Sequence, residues 1–251
     1  NFWQHFLAPY NLALHGYVVV ATDYAGLGVS KTASGEPIVH EYVAEPSQAN
    51  DVIYSVQAAQ QAFPQLGKRF VVIGNSQGGG AAWSIAQRQV DKPIHDYLGG
   101  VAVAPVTRIL RDAEPIRSYL ALAMVSGVAA YFPEFNESDV CTPKGLQRAA
   151  LVRQLESPTS IMIALVSGVK LQDNWAVNHY IQKYQALILN GGTAIANPLL
   201  VVKSEADPVL QYSVAAAAVH DTLEKFPQSL IEFMQMPGVS HGPALTSSQR
   251  H

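Results

Sequence analysis

The run Phe70-Val71-Val72-Ile73-Gly74-Asn75-Ser76-Gln77-Gly78-Gly79-Gly80-Ala81-Ala82-Trp83 constrains the fold more than any other stretch of the chain. Four apolar, strand-forming residues lead straight into Gly-x-Ser-x-Gly and then into small residues that begin a helix. A serine on so sharp a strand-to-helix turn takes up strained backbone angles. Glycines two positions before and two after it, Gly74 and Gly78, are expected to avoid collisions of a β-carbon with the neighbouring strand or helix. The helix aims its unpaired N–H groups and positive dipole end at the serine. Ser76 is therefore the candidate nucleophile, and the backbone N–H of Gln77 is the first candidate donor to an oxyanion. A glycine-rich loop of no catalytic meaning can carry the same five residues; the strand before and the helix after argue for the elbow.

The rest of the chain reads as strands alternating with helices. Phe2 to His15 has apolar residues near helical spacing, with Pro9 expected to kink or divide the helix. Tyr17-Val18-Val19-Val20-Ala21-Thr22 has the pattern of a strand buried on both faces, closed by the turn Asp23-Tyr24-Ala25-Gly26-Leu27-Gly28. Ser47 is expected to cap a helix that runs through Val52, Ile53, Val56 and Ala59 to Phe63. After the Phe70 strand come a helix through Ala81 to Val90 and a strand from Leu98 to Val103. The alternation stops between about Thr107 and Asn197, which reads as an inserted helical cap. It resumes with a strand at Pro198 to Lys203, a helix from about Ser213 to Phe226, and a strand at Ser229 to Met236. The pattern predicts an α/β fold whose mostly parallel sheet is covered by helices on both faces. Its core would comprise residues 1–106 and 198–251, and its cap residues 107–197.

Of the 251 residues, 49% are hydrophobic and 14% charged, which suits one large core with an insertion rather than two generous domains. The formal charge of −3, with 16 scattered Lys and Arg, offers no basic face for nucleic acid. The longest apolar stretches, Tyr119 to Phe132 and Ile161 to Val169, fall short of the roughly 18 to 20 residues that span a bilayer, so no integral span is expected. Cys141 is the only cysteine, which rules out an internal disulfide, a CxxC pair or a cysteine-based zinc site within these residues. No metal role is supported, since the histidines and carboxylates show no ligand spacing such as HExxH. The chain begins at Asn1 in what already reads as mid-fold, and a processed or truncated piece is expected.

A serine hydroxyl is a poor nucleophile at neutral pH. It needs a neutral imidazole to take its proton and a carboxylate to hold that imidazole in the right tautomer. Ser204-Glu205-Ala206-Asp207-Pro208-Val209 follows a buried strand, and Asp207 is the candidate acid; Glu205, nearer the strand end, competes. Asp207 also reads as an Asx-turn residue before proline. Among eight histidines, His241 in Pro237-Gly238-Val239-Ser240-His241-Gly242 directly follows the last strand and is the candidate base. His220 falls within a predicted helix, His251 is terminal, and His5, His15, His40, His95 and His179 precede or interrupt the expected Ser, acid, His order. The second oxyanion donor usually comes from a histidine-glycine turn before the Gly16 to Thr22 strand; that turn is absent, and Asp23 is the available substitute.

The segment Gly16-Tyr17-Val18-Val19-Val20-Ala21-Thr22-Asp23-Tyr24-Ala25-Gly26-Leu27-Gly28, taken with Gly74-Asn75-Ser76-Gln77-Gly78-Gly79, resembles the secretory lipase (lipase A-like) family of α/β-hydrolases. The resemblance covers Phe2 to Val103 and, through the acid and histidine turns, Leu199 to Pro243. It implies hydrolysis of carboxylic esters, often of lipids, without a cofactor, by a secreted enzyme with a helical cap over the acyl site. It also implies that Asp23, in the Asp-Tyr-x-Gly turn, lends an oxyanion donor. Two departures stand out: Asn75 where the family usually carries histidine, and the missing front of the fold, including the strands that would precede Phe2. Cys141 is then expected to have a disulfide partner in absent sequence.

Tyr24 of the same turn and Met124 of the apolar cap stretch Tyr119 to Phe132 are candidate substrate-binding residues. The cap stretch reads equally as buried cap core, as do Trp175, Tyr180 and Tyr184. The leading expectation is a serine esterase or lipase acting on a small-molecule or lipid ester, with possible interfacial contact. The same triad serves amides, peptides and thioesters, and a catalytically silent hydrolase-fold binding protein is the reading from another class.

Overall fold

The computed structural model describes residues 2–112, 117–155 and 159–248. Four strands, β1 (Phe70–Asn75), β2 (Tyr97–Val103), β3 (Leu199–Lys203) and β4 (Ile231–Gln235), form one sheet in that spatial order with every pair parallel. Parallel neighbours need a crossover, and helices supply it. Helix α3 (Gln77–Arg88) links β1 to β2, and α9 (Tyr212–Lys225) links β3 to β4.

The strands are apolar on alternate residues in both directions, which gives the sheet two buried faces. Ala102, Leu199, Val201, Ile231 and Phe233 pack with Trp83 and Ala86 of α3 and with Ala218 and Val219 of α9. Their neighbours in sequence, Val101, Val103, Leu200, Val202 and Met234, pack with Ala244 and Leu245 of α10 (Pro243–Ser248). The sheet belongs to a unit comprising Asn1–Tyr24, Glu45–Arg108 and Leu189–His251, which also holds α1 (Phe2–Leu14) and α2 (Glu45–Ala62).

The second unit comprises Ala25–Ala44 and Ile109–Ile188 and has no strand among the described residues. Its helices are α4 (Ile109–Asp112), α5 (Arg117–Tyr131), α6 (Pro143–Gln154), α7 (Thr159–Val166) and α8 (His179–Leu187). Helix α5 is apolar nearly all round, so something must cover it. Leu120 to Val125 and Val128 are all buried, and Met124 is inaccessible. Gly127 lets α5 approach Tyr42 and Tyr184, whose hydroxyl donates to the Tyr42 carbonyl at 2.6 Å. Cys141 is a free, buried thiol that burial and nearby Glu137 push up to about 11.

Most element boundaries lie within two residues of the sequence reading, with two differences of substance. Tyr17 to Thr22 forms no strand. A β-ladder needs a neighbour to accept its N–H groups, and none of the described strands pairs with this segment, which leaves Tyr17 and Val18 exposed. Helix α1 is not divided at Pro9. The side chains of Phe2, His5 and Phe6, and the terminal His251, lie outside the described residues.

Trp83 is completely buried between β2, β3 and α9, so its removal leaves a cavity in the core. Trp83→Ala is expected to cost about 3 to 5 kcal/mol in urea unfolding.

Candidate active site

Ser76 stands between the end of β1 and the first turn of α3 with φ 58° and ψ −115°. Only a tight local framework holds a residue with a β-carbon there. The Ser76 N–H donates to the Val103 carbonyl at 3.0 Å, and the Ser76 carbonyl accepts the N–H groups of Gly80 at 3.0 Å and Val106 at 3.2 Å. Asn75 adds a side-chain bond to the Val103 carbonyl at 3.3 Å. The end of β2 thus grips the elbow from both sides of the serine.

The glycines divide their roles differently from the sequence expectation. A β-carbon on Gly74 would stand 1.9 Å from the Gly78 carbonyl oxygen, so Gly74 is obligatory. A β-carbon on Gly78 would meet only the Tyr24 hydroxyl at 3.6 Å, an ordinary contact. The restriction passes instead to Gly79, pressed against the Val103 carbonyl and Pro105, and to Gly80, pressed against the Glu45 carboxyl. Both positions are needed for α3 to pack closely on its neighbours.

Asp207 lies in the loop after β3, with its side chain only 1% exposed. Its Oδ1 accepts the N–H groups of Val209 at 2.8 Å and Leu210 at 3.1 Å, an Asx-type turn. Its Oδ2 faces His241 Nδ1 at 2.8 Å. The turn reading and the histidine partnership therefore hold together, one oxygen serving each. Oδ2 also accepts from the Nζ of Lys203, a fully buried residue at the end of β3 that the sequence reading did not single out. The available signal was a lysine closing an apolar strand four residues before an aspartate. Glu205 instead accepts from Gln235 of β4 at 2.5 Å and is exposed.

Burial pushes the Asp207 carboxyl up, but the hydrogen bonds and charges of His241 and Lys203 outweigh it and hold the group at about 2. With Nδ1 directed at a carboxylate, the His241 tautomer that donates from Nδ1 leaves Nε2 as an acceptor. The structure joins His241 to Asp207 and sets Ser76 at the same edge of the sheet, the carboxyl ends of the strands. Among the described residues no hydrogen bond joins the Ser76 hydroxyl to His241.

Gln77 opens α3 directly after the serine. Asp23 is exposed; the next residue, Tyr24, has a positive φ of 55° and carries its hydroxyl over Gly78. Burial, and then the charges of Glu45 and Asp51, push the Tyr24 hydroxyl up to about 12. Glu45 itself is buried against α3, neither oxygen has a hydrogen-bond partner among the described residues, and burial drives its carboxyl well above the ordinary range. Met124 is buried in the second unit. His220, Asp221 and Glu224 on α9 bring possible metal-ligand atoms within 4.8 Å of one another, apart from the Asp207 and His241 pair. Asp221 is already paired with Arg108, and His220 and Glu224 are exposed. No helix among the described residues is long and apolar enough to cross a membrane.

A sequence model of the alpha/beta hydrolase family matches residues 2–250. No curated protein sequence matches the chain. Among solved structures, it resembles a Legionella pneumophila protein at 14% identity and TM-score 0.75, over 94% of this chain and 68% of that one. It resembles the rice cell wall degrading esterase LipA from Xanthomonas oryzae at 18% identity and TM-score 0.67, over 91% and 66%. Candida antarctica lipase A is similar at 15% identity and TM-score 0.64, over 80% and 51%. The chain thus spans between about half and two-thirds of the length of these structures, and at such identities the likeness concerns the fold.

Gly74→Ala is expected to destabilise the protein by about 3 kcal/mol or more, since backbone must move, whereas Gly78→Ala changes stability by less than about 1 kcal/mol. Urea unfolding of the two variants separates them. The depressed Asp207 carboxyl contributes about 2 kcal/mol at neutral pH; this stabilisation is present above the unfolded value of 3.8 and is lost as pH falls through about 2. Unfolding free energy measured against pH should show this loss in the wild type, and Asp207→Asn should remove it.

Proposed function

The chain belongs to the alpha/beta hydrolase family, and within it we propose a serine hydrolase that cleaves carboxylic esters through an acyl-enzyme. The observation that carries this reading is the strained Ser76 at the end of β1, on the sheet edge where His241 sits 2.8 Å from Asp207. The esterase and lipase among the structural neighbours support esters over amides.

In this mechanism the Ser76 hydroxyl attacks the ester carbonyl carbon while His241 Nε2 takes its proton, and Asp207 stabilises the imidazolium that results. The tetrahedral oxyanion accepts the Gln77 backbone N–H, with the Asp23 backbone N–H as the second donor. Collapse breaks the bond to the alcohol, which leaves with the proton from Nε2. Water, deprotonated at the same nitrogen, then attacks the acyl carbon, releases the acid and restores the hydroxyl. Hydrogen bonds between nucleophile and base commonly tighten only once substrate is bound, so substrate is what would bring Ser76 onto Nε2.

Tyr24, over Gly78, is the substrate contact nearest the elbow, and the segment 107–197 would serve as a cap; Met124, expected to touch substrate, is inaccessible and packs instead as core of its own helical unit. Likeness to the lipase A-like proteins supports a role outside the cell, on lipid or other acyl esters. No step calls for a cofactor.

A fluorophosphonate probe is expected to label Ser76, and Ser76→Ala to lower kcat on p-nitrophenyl esters by about 10⁴-fold or more. Full turnover by Ser76→Ala would refute the mechanism. Activity on aminoacyl anilides alone would move the substrate class to amides.

A further inference from the structure

Lys203 ends β3 with its side chain fully buried, an unusual place for an ammonium unless its charge and donors are matched. The matching is specific. Its Nζ donates to Asp207 Oδ2, the oxygen that also faces His241, and to the Leu210 carbonyl at 2.6 Å. The lysine therefore spans the whole acid loop from the strand that launches it to the residue where it closes. Asp207 in turn binds back to that loop through the Val209 and Leu210 N–H groups.

We infer that Lys203 is a positioning residue for the triad: it pins the acid loop to the end of β3 and shares the Asp207 carboxylate with His241. This rests on the serine-hydrolase reading above. A carboxylate paired with an imidazole alone would lend all of its charge to the imidazolium, and the protonated, inactive form of the base would persist to higher pH. The ammonium on the same oxygen offsets part of that charge, while Asp207 still fixes the imidazole ring.

The surrounding charges leave this role to Lys203. Among the described residues, Glu205 on the acid loop points to Gln235 of β4, and Tyr212 at the start of α9 also bonds Gln235. Helix α10, which follows His241, carries no charged residue. Ser76, at the end of β1, is uncharged. The strong pull on the Asp207 carboxyl comes from His241 and Lys203.

The test compares kcat/KM against pH for the wild type, Lys203→Met and Lys203→Gln on a p-nitrophenyl ester, with active sites counted by fluorophosphonate titration. Both variants should move the acid limb toward neutral pH by about one unit, the direction expected when a nearby like charge is taken away from an imidazolium. Lys203→Met, which also loses the bond to Leu210, should lower kcat by about 10- to 100-fold, and Lys203→Gln by less. A structural role alone would lower kcat and leave the limb in place. An active wild type with an unmoved limb in both variants overturns this inference alone. A wild type that neither turns over esters nor labels at Ser76 overturns both readings. The carbon-13 titration of the Asp207 carboxyl in His241→Ala protein keeps the inference testable even where neither lysine variant folds. Lys203 should then still hold the midpoint below 3.8, and a midpoint at or above that value overturns the inference.

Discussion

The close approach of Gly74 to the Gly78 carbonyl is the contact on which the site depends, because it lets the chain reverse from strand to helix in the space of one serine. The reversal leaves Ser76 at φ 58°, a conformation that costs on the order of 1 to 3 kcal/mol for a residue with a β-carbon. Three backbone hydrogen bonds close around that residue, to Val103, Gly80 and Val106, each worth about 1 kcal/mol. The two sums are comparable. The strained serine therefore persists only while the ends of β1 and β2 stay in register, which ties the position of the hydroxyl to the packing of the whole sheet.

That sheet is parallel throughout, and this decides where chemistry can gather. Parallel strands deliver their carboxyl ends to one edge, so the loops after β1, β3 and β4 meet there although they lie far apart in sequence. Ser76, Asp207 and His241 occupy those three loops. Burial of both faces, by α3 and α9 on one side and α10 on the other, gives the loops a packed base. The helical unit built around α5 contributes none of the three groups.

The parts of this arrangement legible in the sequence were those encoded locally. The β1 to α3 turn announces itself through Gly74 and the apolar run before it, and β3 and β4 through short apolar runs followed by polar loops. The Asp207 and His241 pair followed from chain order. Features that depend on neighbours distant in sequence were not legible. Tyr17 to Thr22 has every local mark of a strand and forms none, because pairing is a property of two segments. Gly78 was expected to be the glycine that the turn requires after the serine, yet a β-carbon there has room, and it is Gly79 and Gly80 that meet backbone or a buried carboxyl. Lys203 looked like an ordinary end to a strand until the fold brought Asp207 and Leu210 to its ammonium.

Two buried carboxyl groups near the site show that burial by itself does not set ionisation. Glu45 and Asp207 are both withdrawn from water, and desolvation pushes both toward the neutral form. Glu45 receives no hydrogen bond among the described residues, and burial drives the group to hold its proton against α3. Asp207 receives two backbone N–H groups, an ammonium and an imidazole, and the last two reverse the sign of the shift. The donors come from three separate places, the acid loop itself, the end of β3 and the loop after β4. Those contacts keep Asp207 ionised while it is withdrawn from water, which is the state the proposed mechanism needs.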